Sequence, residues 1–493
     1  MIDRLIFTSK ANPSVAPPVL SSSANRNKVL LLWLVGAAFF MESLDTTILN
    51  TAVPTVAAAL KMCPLNMKSV LASYTLSLAV FIPISGWMAD RFGTRRVFAS
   101  SIGLFAIGSF LCGLSSDIRV LVACRILQGC GGAMMVPVGR LTLLRTFAKS
   151  ELIRAIGFVQ IAGLIGPMLG PIAGGLIVGY LHWRMIFLVN IPTGLLALLL
   201  VYLYLPDFHE ERTPPADIVG LVTFGCGVGL LSYVLEVFSE HKSSVGGAAI
   251  FLGVSLTFIF SYWLHARRIK FPLLRLNLLR TRTFGIAVAG GYLTRLGIAG
   301  VSFLLPVLCQ VGLGFTPVQS GLLLMPQAAA AVALKFATPG ILARFGYRAV
   351  LISNTLILGF LLLLFATIGF HTAAWAIVLM TLLFGAFTSL QFTSMNTLAY
   401  ADIAEAETSM ASSIFGTMQQ MSISFGTTCA GLATEVFMPA GLRFSRGQMI
   451  HGIQESFIAF GAFTLGSASV FTKLENRDGD NVRMENEQEV EVL

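Results

Sequence analysis

Charge is what this sequence is shortest of. Only 12% of its 493 residues are Asp, Glu, Lys or Arg, about half the share in soluble globular domains. With 55% apolar residues and a mean hydropathy of +0.80, no stretch is left to fold as a sizeable soluble domain, and the chain reads as an integral membrane protein. The six histidines stand singly at loops and span ends, without a second ligand at metal spacing, so no metal site is expected. Seven cysteines is an odd count, and six of them (Cys112, Cys124, Cys130, Cys226, Cys309, Cys429) fall in apolar runs. There a thiol behaves as a small hydrophobe, and no disulfide framework is implied. A G-x-x-x-x-G-K-[ST] phosphate loop is missing, which excludes a primary ATP-driven pump. So are a hydrolase elbow and any cluster of His with carboxylates, which argues against an enzyme and against a cofactor.

What the chain has instead is a succession of apolar runs of about 20 residues, the length that crosses a bilayer as a helix. They fall at Val29–Val53, Ser69–Ala89, Val97–Leu114, Val120–Val138, Ile156–Tyr180 and Met185–Leu205, then at Ile218–Phe238 and Ala248–Leu264. The rest are Phe284–Val311, Val318–Phe336, Val350–Phe370, Ala374–Leu398, Met410–Phe437 and Ile453–Phe471. The expectation is all-α, with about fourteen spans and both termini on one side. With the N-terminus inside, 23 of the 33 Lys and Arg lie on the cytoplasmic side and 7 outside. By the positive-inside rule both termini are therefore cytoplasmic. The net charge of +9 is then a topology signal, and no nucleic-acid partner is expected because no basic patch is interleaved with aromatics.

Residues 1–27 are polar, with Pro13, Pro17 and Pro18, and read as a disordered cytoplasmic tail; the acidic, aromatic-free tail at 473–493 reads as disordered from Glu475 onward. Between the tails lies a repeat. RFGTRRV at Arg91–Val97 and RFGYRAV at Arg344–Val350 share five identities in seven at an offset of 253. Both copies follow an even-numbered span on the same side, so the chain holds two parallel halves. The halves are expected at 28–205 and 284–472, with two surplus spans in a charged linker region at 206–283. The second linker stretch sets Arg267, Arg268, Lys270, Arg275, Arg280 and Arg282 among leucines, the pattern of an amphipathic segment on an anionic leaflet.

Few ionisable residues fall inside spans, and each is a functional hypothesis because it is costly in lipid. Glu42 and Asp45 are three apart and share a face of the first span. Asp45 lies about 12 Å from the outer end of its helix and Arg125 about 8 Å from the outer end of the fourth, so a charge pair is geometrically allowed. A neighbouring cation favours the ionised carboxylate and burial the neutral one, so an alternating site could take a proton from outside and release it inside. Arg295 lies near the midplane, where snorkelling is hard, and is expected to line a cavity; Lys335, near the inner end of its span, could snorkel. Together these cations outnumber the acids, a balance that suits anionic cargo.

Four motifs surround these residues. Gly86–Arg96 reads GWMADRFGTRR, with Gly86, Asp90, Arg91, Gly93, Arg95 and Arg96 in place of G-x-x-x-D-R-x-G-R-R/K. Gly157, Gly166, Gly170, Pro171, Gly174 and Gly175 spell G-x8-G-x3-G-P-x2-G-G in the fifth span, small residues that let helix backbones touch. MESLDTTILNTAVP (Met41–Pro54) fits L-D-x-T-I-V-N-x-A-L-P at Leu44, Asp45, Thr47, Ile48, Asn50, Ala52 and Pro54, and RILQG from Arg125 fits R-x-x-Q-G. On these residues the chain resembles the major facilitator superfamily, and within it the fourteen-span drug:proton antiporters of the EmrB/QacA type, in their MdtD-like branch.

The resemblance implies a bacterial plasma-membrane exporter with two six-helix halves plus two extra central helices. It would exchange a proton, as coupling ion, for a small molecule. Asp45, Glu42 and Arg125 would serve proton coupling, Arg295 and Lys335 the cavity charge, and the Gly86–Arg96 motif a cytoplasmic latch. In that latch Asp90 faces the start of helix thirteen, where Glu405 or Glu407 could accept Arg95 or Arg96; the duplicate has Ala343 in place of the acid. Export of an organic anion or an iron-chelating metabolite is the other cargo class, a membrane sensor or scaffold without turnover the other functional class, and uptake is disfavoured by the fifth-span motif. Periplasmic or outer-membrane partners are left open.

Overall fold

The computed structural model describes residues 22–210, 213–239, 245–404, 407–438 and 445–481. Its long elements are fourteen helices: α1 (Ser22–Ala59), α2 (Lys68–Phe92), α3 (Thr94–Leu114), α4 (Ile118–Thr146), α5 (Lys149–Tyr180), α6 (Met185–Tyr204, broken at Val189), α7 (Ile218–Ser239) and α8 (Val245–Arg268). After these come α9 (Arg282–Val307), α10 (Pro317–Phe345), α11 (Tyr347–Phe365), α12 (Ala374–Tyr400), α13 (Thr408–Val436) and α14 (Arg446–Phe471). No strand occurs among the described residues. Segments from the first twelve are long and apolar enough to cross a membrane. At 29 and 26 residues α13 and α14 are long enough, but a run of Ser, Thr and Gln in α13 and the polar first turns of α14 make them less apolar. The fourteen expected spans thus appear as fourteen helices, twelve of which qualify on composition.

Local sequence explains the boundaries. Gly93 (φ +93°) and Gly346 (φ +73°) are the glycines of the two RFG repeats, and both turn the chain between consecutive helices in a conformation that L side chains rarely adopt. Asp117 caps α4, and Thr316 and Ser445 close capping boxes at α10 and α14. Two expectations move. α1 starts at Ser22, inside the stretch read as tail, because SSANRNK contains no helix breaker. Residues 475–481 are not free, since Glu475 and Asp478 pair with Arg282 at the start of α9. Residues 1–21 and 482–493, and with them most of the expected tails, lie outside the described residues, as does Glu405.

The packing is that of a duplicated bundle. In the first half α1 lies against α5, α2 against α4, and α3 against α4 and α6; in the second α9 lies against α13, α10 against α12, and α11 against α12 and α14. Between halves the main contacts are α2 with α13 and α5 with α10. The second helix of each half therefore meets the fifth of the other, as a two-fold axis along the bundle requires. α7 and α8 pack on each other, and α7 reaches α2 and α13.

The second linker stretch departs from the amphipathic segment expected on a leaflet. It forms one short 3₁₀ turn, Leu276–Arg280, and Leu273, Leu274 and Leu278 are buried in the protein core rather than offered to lipid. Arg267 covers the Trp263 ring at 3.6 Å.

Ion pairs such as Asp90–Arg145 and Lys28–Glu151 mark one end of the bundle, here the terminal face; Lys68–Glu435 marks the opposite, distal face. The apolar core is continuous through both halves only toward the distal face, joining Ile48 to Val56 of α1 with Val301 to Val307 of α9, Leu308 and Cys309 just beyond it, and Leu358 to Phe365 of α11. Toward the terminal face it divides into one cluster per half, α2 reaching across through Ala79 and Ile84. The apolar core that the halves share is therefore most extensive toward the distal face, with α2 and α13 still packed together toward the terminal one.

Candidate functional site in the bundle interior

α1 is the pivot of the site because its polar residues face two ways. Thr47, Asn50 and Thr51 line a central cavity of about 220 Å³, with Pro167 and Pro171 of α5 beside them and Ser302, Gln327 and Thr388 of the second half opposite. Asp45, two residues before Thr47, points instead into the first half, since about 100° per residue carries a helix through slightly more than a half-turn in two.

There Asp45 is 1% exposed and fully engaged. Its Oδ2 accepts from Arg125 Nη1 at 2.6 Å, and its Oδ1 from Gln128 Nε2 at 2.9 Å and Asn190 Nδ2 at 2.8 Å. Arg125 also donates to Gln128 Oε1 at 2.8 Å, and Asn190 to Ser109 Oγ at 3.0 Å. The guanidinium sits 4.2 Å from the centre of the Tyr74 ring. Four helices thus converge on one carboxylate: α1 brings the acid, α4 the arginine and glutamine, α6 the asparagine, and α2 the aromatic face. Close approach at α4 makes this possible; a Cβ on Gly129 would stand 2.8 Å from the Tyr74 carbonyl oxygen and one on Gly108 2.7 Å from the Gln128 backbone.

Glu42 is half-buried and, among the described residues, has no hydrogen-bond or ion-pair partner. Arg295 is 2% exposed, and its Nε and Nη2 meet no acceptor. Its guanidinium is held between rings, 4.4 Å from Phe392 and 5.2 Å from Phe415. Seven residues on, about two turns and nearly the same helix face, Ser302 lines the cavity, as Thr388 does one turn from Phe392. Arg295 therefore underlies the cavity wall on its terminal side. Lys335, half-buried, lies one turn below the lining residue Ala331 and reaches Gln160 of α5 at 3.4 Å.

The fifth-span glycines split by task. Gly166, Gly170 and Gly174, spaced by four, form a groove for α1; added Cβ atoms would strike Ser43, Thr47 and the Ile48 carbonyl. Gly175 does the same for the Pro317 carbonyl of α10, and Pro171 stands in the cavity wall. A Cβ added at Gly157 would meet nothing within 4 Å.

The distal face is closed by contacts across the halves. Lys68, 2% exposed, pairs with Glu435 at 2.7 Å, Gln310 Nε2 donates to the Thr51 carbonyl at 2.7 Å, and Ser424 Oγ to the Ala72 carbonyl at 2.9 Å. At the terminal face the Gly86–Arg96 motif looks elsewhere than expected. Asp90 pairs with Arg145 of its own half at 2.8 Å, and Arg145 with Glu210 at 3.0 Å. Arg95 bonds the Leu205 carbonyl and Asp207, and Gly93 abuts Asp207. Glu407 meets Arg275 of the linker at 4.0 Å rather than Arg95 or Arg96. Asp90 and Glu407 therefore do not make the expected latch contacts in this conformation, although Trp87 and Met88 of the motif pack against the cluster that holds Ala411 and Ile414 of α13.

Sequence reasoning placed Asp45 with Arg125 but missed Asn190, Tyr74 and the Lys68–Glu435 pair. A lone Asn in the apolar run LVNIP was the signal for the first. Lys68 and Glu435 are 367 residues apart and each reads as an ordinary loop or span-end charge.

Residues 35–427 match the family model described as Major Facilitator Superfamily. The chain is 39% identical over 408 residues to a protein of Pectobacterium atrosepticum named "Putative multidrug resistance protein MdtD", covering 82% of this chain and 87% of that one. It is 37% identical over 453 residues to the protein of that name in Escherichia coli, covering 92% and 96%. Among solved structures, a bacterial homologue of the human lysosomal transporter Spinster, inward-facing and unoccupied, superposes with a TM-score of 0.64 at 13% identity, covering 93% of this chain and 98% of that one.

Proposed function

Since the chain belongs to the major facilitator superfamily, and is a multi-pass membrane transporter rather than an enzyme, we propose that it exports small molecules from a bacterial cell across the inner membrane in exchange for protons. The observation that carries this is the Asp45 site: a carboxylate sealed in the first half, bound to Arg125 and beside the α1 face that lines the cavity. An ion pair of this kind is stable only while Asp45 is ionised. Protonation removes the charge that Arg125 needs, so the pair and the packing of α1 against α4 and α6 change together.

With the distal face outside, as the distribution of Lys and Arg favours, the conformation is closed outward by contacts such as Lys68–Glu435 and Gln310–Thr51, with Asp45 ionised against Arg125. Cargo enters the cavity from the cytoplasm in this state. After the halves rock to the outward-facing arrangement cargo leaves, Asp45 takes a proton from outside, and the return step delivers it inside. The fifth-span glycines hold α5 against α1 and against α10 at its distal end, where Gly175 and Gly321 allow backbone contact, so motion at α1 passes to the seam between the halves. The relatives named for multidrug resistance support drugs or xenobiotics as cargo.

A second reading of the cargo has its own observation. Arg295 is a buried cation that, among the described residues, has no counter-ion beneath the cavity wall, an arrangement that an organic anion or a metal-chelate anion would complete. Efflux measured in inverted vesicles under a proton gradient, screening cationic dyes against citrate-like and chelate anions for wild type and Asp45→Asn, tests both. Gradient-driven transport of either class that is lost in the variant supports export coupled at Asp45. Equal transport by the two proteins removes the role assigned to Asp45.

A further inference from the structure

The walls of the central cavity carry no ionisable side chain. Thr47, Asn50 and Thr51 of α1, Ser302 of α9, Gln327 of α10 and Thr388 of α12 supply its polar surface, and each is a neutral hydroxyl or carboxamide. The charges of the bundle interior stand elsewhere. Asp45 points into the first half, Arg295 lies about 10 Å along α9 from Ser302 on the terminal side, and Lys335 is one turn below Ala331. At about 220 Å³ the cavity is also smaller than the roughly 300–1,000 Å³ of pockets that bury a drug-sized molecule whole. It has room for one end of a cargo.

Most hydroxyls near it are paired within the bundle. Thr46 and Thr47 donate to the Ser43 carbonyl of their own helix at 2.7 and 2.9 Å, and on α12 Thr381 and Ser389 donate to the Leu323 and Ala331 carbonyls of α10 at 3.0 and 2.7 Å. Thr51, which is 0% exposed, and Thr388 do neither: among the described residues the Oγ1 of each is buried and has no hydrogen-bond partner. The side chains of Asn50, Ser302 and Gln327 likewise make no hydrogen bond among the described residues. On α5, Pro171 has no N–H to give the Pro167 carbonyl one turn earlier, and both prolines line the same space. Buried polar atoms are normally paired, because an unpaired one forfeits its bond to water and gains nothing in return. Here unpaired groups from both halves surround one cavity, which is the preparation of a site that a ligand completes.

Resting on the reading of this cavity as the seat of the cargo, we infer that it is a neutral subsite, taking an uncharged group rich in hydroxyls or carboxamides that Thr51 and Thr388 pair with, while any charge on the cargo stays on the terminal side. A charged group brought here would lose its water and find no counter-charge on the walls. Thr51 and Thr388 are then specificity-determining residues, one from each half, bridged by the uncharged end of the cargo. Thr51 also ties that end to the distal closure, since its carbonyl accepts from Gln310 of the other half at 2.7 Å.

The test is equilibrium binding of tritiated glucitol, a neutral polyol, to the purified full-length protein in nanodiscs with no proton gradient. Its cationic 1-amino analogue serves as competitor. Saturable binding is expected in wild type, with the amino analogue competing at least tenfold less well than unlabelled glucitol. Thr51→Val and Thr388→Val keep the shape and remove the hydroxyl, so each should weaken binding by about tenfold. Because neither hydroxyl has a partner to lose, both variants should keep or raise the thermal midpoint, whereas a purely structural role would lower it. No saturable binding in wild type, undiminished binding in both valine variants, or stronger competition by the cationic analogue would each overturn the assignment. No gradient enters the measurement, so binding of this kind persists if proton coupling fails, and coupled export of other cargo without glucitol binding sinks the neutral subsite alone.

Discussion

Replacing Asp45 by Asn puts an amide where three donors converge. Arg125 Nη1, Gln128 Nε2 and Asn190 Nδ2 all point at the carboxylate, and an amide offers them one oxygen and a competing N–H group. Arg125, 1% exposed, is then a buried cation without its counter-ion, a loss of about 3–5 kcal/mol. The Tyr74 ring, 4.2 Å from the guanidinium, keeps a cation–π contact on the order of 2 kcal/mol, which places the expected loss near the lower limit, about 3 kcal/mol. Arg125→Met strands the carboxylate instead, leaving it the two amide donors, and costs a comparable amount. In the double variant neither charge is left, so the combined loss should fall short of the sum by about 2 kcal/mol or more. Reversible unfolding of the four proteins in micelles measures this cycle. Additive losses would refute the claim that the two residues act as one unit.

Other substitutions separate structure from function. Gly170→Leu would drive its Cβ to within 2.8 Å of Thr47 Cβ and should abolish accumulation of folded protein, whereas Gly157→Ala, in open space, should change stability by less than about 0.5 kcal/mol; expression with fluorescence-detected gel filtration shows both. Arg295→Met removes a buried cation whose Nε and Nη2 meet no acceptor, so it should raise the thermal midpoint while lowering transport of anionic cargo at least tenfold, read by thermal shift and vesicle uptake. Lys68→Met strands Glu435 at the distal face, and spin-label distances across that face should shift toward a separated population relative to wild type; an unchanged distribution would count against the ion pair as part of the closure.

How far the sequence could be read depended on the range of the interactions. Helices and the duplication were legible because apolar length and the RFG turns are local properties: Gly93 and Gly346 carry positive φ in both copies, which explains why that residue recurs. Asp45 and Arg125 stood out because a charge in an apolar run demands a partner. Asn190 did not, since an uncharged amide in a span carries no such demand and its partners Asp45 and Ser109 lie 145 and 81 residues away. The partners of the Gly86–Arg96 motif were misplaced for a different reason. A motif specifies which residues can form a contact, while the conformation decides whether the contact is made, and here Asp90 pairs with Arg145 of its own half. The leucines of the second linker were assigned to lipid because amphipathic spacing does not distinguish a membrane surface from a protein groove; Leu274 and Leu278 found the groove.

The central claim is exchange of a proton for cargo, and the most direct measurement is the pH inside proteoliposomes of known orientation as a cargo gradient is imposed. With cargo placed on the terminal side and an indicator dye on the same side, outward cargo movement should acidify that compartment, and the response should vanish in Asp45→Asn. Cargo movement with no pH change, or with a change of opposite sign, would contradict proton-coupled export.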